Sequence, residues 1–270
     1  MSSATETLLT GSLERKLRHE QLANGIANRN YEGTLGPESS VKVTIAQSGT
    51  VQDYTGGAIS IEENVDATPR TISPDHKKAF AFVLDGSENL EAYAEDFAGE
   101  TFAEVLEQAD KYILTNASDA GNNFDFDQSI ASPDVSDLFG QAQETLNNEG
   151  VPQAQRFAVV PASTARLVYD EIAARGTERG DEALMSGLIG RYYGFEVYGR
   201  PTSFFDVTGT SEIRSLFGSR FHQTYADTVV DLQVIENAPG YPGGTVIQGL
   251  HVAGSTLTQP NGFVEAQITE

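Results

Sequence analysis

The chain has no cysteine among its 270 residues, which excludes disulfides, thiolate metal sites and cysteine catalysis. Lysine is nearly as scarce: only Lys16, Lys42, Lys77, Lys78 and Lys111 occur, within a total of 17 Lys and Arg. Against these stand 39 Asp and Glu, for a net charge of −22. A chain so short of cations cannot coat DNA or RNA broadly, because phosphate neutralisation needs a basic surface. No apolar run reaches 18 residues, so no stretch reads as a spanning helix and no membrane partner is expected. The opening "MSSATETLLTGSLERKLRHEQ" lacks the apolar stretch of a signal peptide. The expectation is a soluble protein that accumulates inside the cell that makes it.

Catalytic patterns are missing as well. His19, His76, His222 and His251 are scattered and read as surface residues. "LRHEQLA" begins like a zincin helix, but Ala23 stands where the second histidine belongs. There is no G-x-S-x-G elbow, Walker loop or G-x-G-x-x-G. "PGYPGG" (239–244) reads as a turn. "SDAGNNFDFD" (118–127) lacks the oxygen order and closing Glu of an EF-hand and reads as an acidic loop. Paired carboxylates carry no information in so acidic a chain. No catalytic residue, cofactor or metal site is expected.

What is present suits a folded protein. The apolar content of 39% supports a core, and the length allows one large domain or two small ones. The acid surplus has two readings. One is plain solubility. The other is adaptation to concentrated salt, where a Debye length of about 3 Å at 1 M stops such a surface from repelling itself.

Along the chain, residues 13–30 predict a short amphipathic helix with Leu13, Leu17, Ala23 and Ile26 on a thin apolar side. It is the only net-basic segment, and reads either as a surface helix or as an arm that docks on another molecule. Residues 33–84 are β-rich: "VKVTIA" and "AISIE" alternate, turns fall at "QSG" and "TGG", and "RTIS" lies between Pro69 and Pro74. The sparse alternation predicts an extended hairpin. In "KKAFAFVLD" (77–85) both faces of a strand are apolar, and Asp85 and Glu88 have capping-box spacing. A helix from Ser87 to Thr115 follows, with Phe102, Val105, Leu106, Ala109, Tyr112 and Ile113 in its apolar stripe. At 1.5 Å per residue it spans about 43 Å. Glu100 and Glu104 on its outer face repel each other.

Ser132-Pro133 reads as the cap of a helix carrying Val135, Leu138, Phe139, Ala142 and Leu146 and ending at Gly150. The strand "RFAVVP", a helix near 163–175, and a strand pair in "LIGRYYGFEVYG" pinched by Gly190 and Gly194 complete an α+β module. The tail returns to strands in "DTVVDLQVIE", "TVIQGLHVAG" and "GFVEAQI".

This order of elements resembles the major capsid proteins of tailed double-stranded DNA viruses, which share the Hong Kong 97-type α+β fold. "NRNYEG" (28–33), "VQDYTGG" (51–57), "RTISPDHKKAFAFVLD" (70–85), "RFAVVP" (156–161), "GLIGRYYGFEVYG" (187–199) and "GLHVAG" (249–254) carry the likeness in order. It covers nearly the whole chain, and no single motif decides it. The resemblance implies an N-arm over 1–32, an extended β-hairpin (E-loop) over 33–75, and a peripheral domain over 76–129 with a spine helix at about 87–116. It further implies an axial domain over 130–225, return strands of the peripheral domain over 226–253, and a C-terminal strand of the axial domain over 254–270.

The implied function is self-assembly through pentamers and hexamers into an icosahedral shell around double-stranded DNA, without sequence-specific contacts. It is a structural, non-enzymatic role in the virion, with assembly in the host cytoplasm. Portal, scaffold and decoration proteins are the implied partners, and the salt-tolerant composition suits a halophilic host. Some relatives cross-link a hairpin Lys to a neighbour's Asn; Lys42 alternates in a strand, and no cross-link is expected. Arg15, Lys16 and Arg18, and Tyr54, Ile59 and Ile61 in the hairpin, are the candidates for self-association or for facing DNA. An encapsulin-like compartment shell, a monomeric enzyme or binding domain with a hairpin insertion, and a tail-tube subunit are the alternatives. The long helix argues against the last.

Overall fold

The computed structural model describes residues 21–31, 35–45, 53, 68–84, 90–115, 119–129, 133–174, 190–205, 213–236, 240 and 244–269. In chain order the elements are α1 (Ala23–Ile26), β1 (Val41–Ile45), β2 (Thr68–Ile72), β3 (His76–Leu84), α2 (Leu90–Thr115), β4 (Asn122–Asp127), α3 (Val135–Asn148) and β5 (Arg156–Pro161). Then come α4 (Ala162–Ala174), β6 (Arg191–Tyr192), β7 (Phe195–Arg200), β8 (Ile213–Ser219), β9 (Gln223–Glu236), β10 (Thr245–Leu257) and β11 (Phe263–Thr269).

Three sheets organise them. A six-stranded sheet runs β4-β11-β8-β5-β7-β6, a three-stranded sheet β3-β10-β9, and β1 pairs with β2 alone. All six residues of β5 are buried, Arg156 included, and Phe157–Pro161 form the unbroken apolar run of a central strand. On one face of the large sheet, Phe139 of α3 meets Phe195 of β7 at 6.0 Å and Phe217 of β8 at 5.2 Å between ring centroids. Tyr193 and Gly194, with φ of 49° and 83°, make the two-residue turn between β6 and β7. Two positive φ values are what a type I′ hairpin needs.

In the second body, α2 covers one face of the three-stranded sheet. Phe80 lies edge-on to Phe102 at 5.7 Å, and Val105, Leu106 and Ile247 close a small core around them. Below it, Val43 and Ile72 of the β1–β2 ladder pack with Leu35, Ala226 and Val252 on the opposite face. Val41 pairs with Ile72 and Ile45 with Thr68, so this ladder is the antiparallel stem among the described residues.

Several expectations change. The helix expected over 13–30 is one turn, 23–26, within the described residues, because the chain after it goes extended at Ala27 to bond with β9; residues 13–20 and the Asp85–Glu88 box lie outside them. The "acidic loop" at 118–127 holds β4, which runs parallel to β11. Phe124 and Phe126 alternate with Asp125 and Asp127, so one face of this edge strand is buried. β4 thus belongs to the six-stranded sheet, as its edge strand beside β11. The cap of α3 is Asp134, whose Oδ1 accepts the Ser136 N–H at 2.9 Å. The strand whose two faces are both apolar in sequence buries only Phe80 fully among its described side chains, while Ala79, Ala81 and Val83 are exposed on the other side. β8, with Leu216 and Phe217 fully buried, had no counterpart in the sequence reading.

Candidate functional site

The densest chemistry lies where the two bodies meet. Residues 21–29 form a strap across this joint. Leu22, Ala23, Ile26 and Ala27 are all buried in the main core, which anchors the strap without a regular helix. Its backbone continues as a short parallel bridge with β9: Asn28 N–H donates to Gln223 O at 2.8 Å, and Tyr225 N–H donates to Asn28 O at 3.1 Å.

Polar side chains complete the attachment. Asp110 of α2 accepts the Leu22 N–H at 2.9 Å through Oδ1, and its Oδ2 faces Arg200 of β7 at 3.4 Å. Burial lifts the Asp110 carboxyl to about 6, against the opposing pull of Arg200 and the Leu22 amide. Gln21 Nε2 donates to the Tyr225 hydroxyl at 2.7 Å, and burial raises that phenol. Arg29 pairs with Asp227 at 3.0 Å and lies 5.8 Å from the Tyr225 ring centroid. Asp227 also meets His251 Nε2 at 3.4 Å. Burial pushes the Asp227 carboxyl up, but the His251 hydrogen bond and the Arg29 charge outweigh it and hold it below its usual range. His76 stacks on Tyr112 at 4.7 Å and meets His251 edge-on at 6.4 Å. Burial, His251 and Lys78 bring His76 down to about 4.

His251 is fully buried, His76 and His222 are half-buried, and the surface reading is corrected for all three. Buried in an alternating strand, an imidazole pays off its desolvation by pairing, here with Asp227. Asp110 was missed, yet a signal existed: it falls within the stripe of Leu106, Ala109 and Ile113, where a carboxylate needs partners. Arg15, Lys16, Arg18, Tyr54, Ile59 and Ile61 lie outside the described residues. Among the described residues no group of three or more His, Asp or Glu could hold a metal ion. No helix among them is long and apolar enough to cross a membrane. The joint's polar contacts run between distant segments of one chain.

No family model matches the chain, and no curated protein matches it in sequence. Solved structures do. A chain from Mycobacterium phage Che8 is similar at a TM-score of 0.67 and 21% identity, over 91% of this chain and 90% of that one. A chain of the mature capsid of bacteriophage PhiM1 is similar at 0.63 and 10% identity, over 93% and 87%. The chain has the Hong Kong 97-type capsid fold. The virus-like particle of Pyrococcus furiosus is similar at 0.55 and 11% identity, over 98% of both chains. In this capsid fold α2 is the long helix backing the three-stranded sheet, and the six-stranded sheet with α3 and α4 is the other, larger body.

Proposed function

We propose that the chain is a major capsid protein of a tailed double-stranded DNA virus, assembling with copies of itself into the shell of the virion. The observation that carries this reading is a likeness to phage capsid structures spanning about nine-tenths of this chain. The closed shell is built from pentamers and hexamers around the genome, with portal, scaffold and decoration proteins as further partners. Residues 1–32 act as the N-arm, 33–75 as the E-loop and α2 as the spine. The three-stranded sheet belongs to the peripheral domain and the six-stranded sheet to the axial domain. Arg15, Lys16 and Arg18 face a neighbour or DNA, and Tyr54, Ile59 and Ile61 lie on an adjacent subunit. A two-stranded ladder is marginal alone in water, which favours a second subunit as its support.

Charge sets the conditions. Each copy brings −22 to the wall, so repulsion opposes closure unless salt screens it. Electron microscopy of the expressed protein in molar salt should show closed particles. A 29 kDa monomer by size-exclusion chromatography under all conditions would sink the reading. Particles dialysed to roughly 0.1 M salt should loosen or fall apart; unchanged scattering would remove the halophilic part alone. The likeness to the Pyrococcus furiosus particle favours a second reading, an encapsulin-like compartment. Nucleic acid inside purified particles decides for the virion, and protein cargo for the compartment.

A further inference from the structure

We propose that Tyr193, at the tip of the β6–β7 hairpin, is a contact anchor for a second copy of the chain, held at a position that the backbone itself disfavours. Both central residues of a type I′ turn need positive φ, and Asn, Asp or Gly fills the first of them best. Tyr193 takes that first place at φ 49°, and Gln155 is the one other non-glycine residue with positive φ among the described residues. For a bulky L-residue this region crowds Cβ against the following carbonyl. Full burial does not offset the strain. Tyr193 is 37% exposed and, with Val83 and Phe221, is one of three large apolar side chains left in the open among the described residues. Its ring leans on Tyr192 at 4.9 Å between centroids, and Tyr192 meets Phe139 of the core at 4.9 Å. The core thus props the ring from behind and leaves its outer side in water. Backbone strain held at such a place points to a use beyond the fold.

The surroundings favour a protein partner, and a copy of this chain in particular. β6 is the outermost strand of the six-stranded sheet and only two residues long, too short an edge to recruit another strand. Contact at this tip therefore falls to side chains. Two residues before Tyr193 stands Arg191, its side chain 73% exposed, and Tyr and Arg are among the residue types that dominate interface energetics. Arg191 pairs with Glu196 at 3.0 Å, but so exposed a pair is weak enough to exchange partners. A second copy supplies them in excess, with 39 acidic side chains against 17 Lys and Arg. A DNA duplex also offers negative charge, yet the rest of a chain at −22 would repel it. The inference rests on the self-assembly proposed above and names one of its contacts.

Tyr193→Asn gives the turn a residue it prefers and removes the ring, so it should move stability and association in different directions. Sedimentation velocity of the full chain in molar salt reads the association. Tyr193→Asn should weaken it roughly tenfold, while the urea midpoint, taken at a concentration where the parent is monomeric, stays level or rises. Tyr193→Phe keeps the ring and should associate within about twofold of the parent. Parental association in Tyr193→Asn would overturn the anchor, and a lower DNA content in its particles would then assign the tip to DNA. A fallen urea midpoint would overturn it as well, because the ring would then be covered by its own chain. If the parent stops at small oligomers that Tyr193→Asn dissociates, the closed shell is refuted and the anchor stands. A parent that stays monomeric throughout removes both.

Discussion

The six-stranded body and the three-stranded body solve the same problem unequally. The first buries β5 completely, with helices on one face and the strap on the other, in a single large core. The second has two small clusters of five buried residues each, lends Ile113, Leu114, Tyr225, Ala253 and Leu257 to its neighbour's core, and leaves Ala79, Ala81 and Val83 facing out. Hydrophobic stabilisation scales with area removed from water, so the first body is self-sufficient and the second is only partly so. An antiparallel sheet can tolerate one wet face, but such a face is normally polar. The difference teaches where a chain with this fold keeps its stability and where it keeps its options.

The comparison breaks most visibly at Phe139. Its ring meets Tyr192, Phe195 and Phe217, and it is fully buried. Phe139→Ala should cost about 3–5 kcal/mol in urea unfolding; a loss below about 1 kcal/mol would show that the large core repacks freely. The seam between stem and small sheet comes next. A Cβ on Gly254 would stand 2.4 Å from Ser73 O, a backbone atom that cannot rotate away. Gly254→Ala should therefore cost roughly 1–3 kcal/mol by pushing β10 from the chain after β2. Unchanged stability would mean that the stem is loosely seated.

Much of this inequality was legible in the sequence, and the reasons for the misses are physical. The stripe Phe102–Leu106–Ile113 and the run "RFAVVP" follow from periodicity, because burial on one face or both leaves its own pattern. Strand β4 escaped because its alternation is short and its outward residues are aspartates, which also mark loops. The strap escaped because α1 is a single turn held by tertiary bonds to residues some two hundred positions away. His251 could not be placed from composition, since only its strand neighbours reveal Asp227 across the sheet. The candidate residues Arg15, Lys16, Arg18, Tyr54, Ile59 and Ile61 lie outside the described residues, and no local pattern in the sequence fixes a partner for them.

The joint between the bodies carries two opposing pH slopes, and single substitutions should separate them. His76 has its pKa pulled from 6.5 to about 4 in the fold. Its stabilisation is complete above 6.5 and drains away as pH falls toward 4. Asp110 is lifted from 3.8 to about 6, so the folded state holds its proton more tightly. That contribution is greatest below 3.8 and declines as pH rises to 6. Relative to the parent, Asp110→Asn should lose stability on acidification from 6.5 to 4, because only the histidine slope remains. His76→Gln should gain stability between 6 and 4. Urea midpoints across this window read both tilts. Tilts of the same sign would mean that the two groups do not sit in the environments described.

The smallest effect is also the sharpest test of the inequality within one strand. Phe80 and Val83 are three residues apart on β3 and point to opposite faces of its sheet. Phe80, 8% exposed, contacts Phe102 across the buried face, whereas Val83 is 43% exposed. Truncating Phe80 to Ala should cost roughly 3 kcal/mol or more, whereas Val83→Ser should move the isolated subunit by less than about 0.5 kcal/mol. The contrast follows from burial alone, since both positions have strand geometry and pair with β10, Phe80 with Gly249 and Val83 with Val246. If Val83→Ser destabilised the lone subunit as much as Phe80→Ala, the outer face would already be covered by the chain itself. The three-stranded body would then be as self-contained as its neighbour.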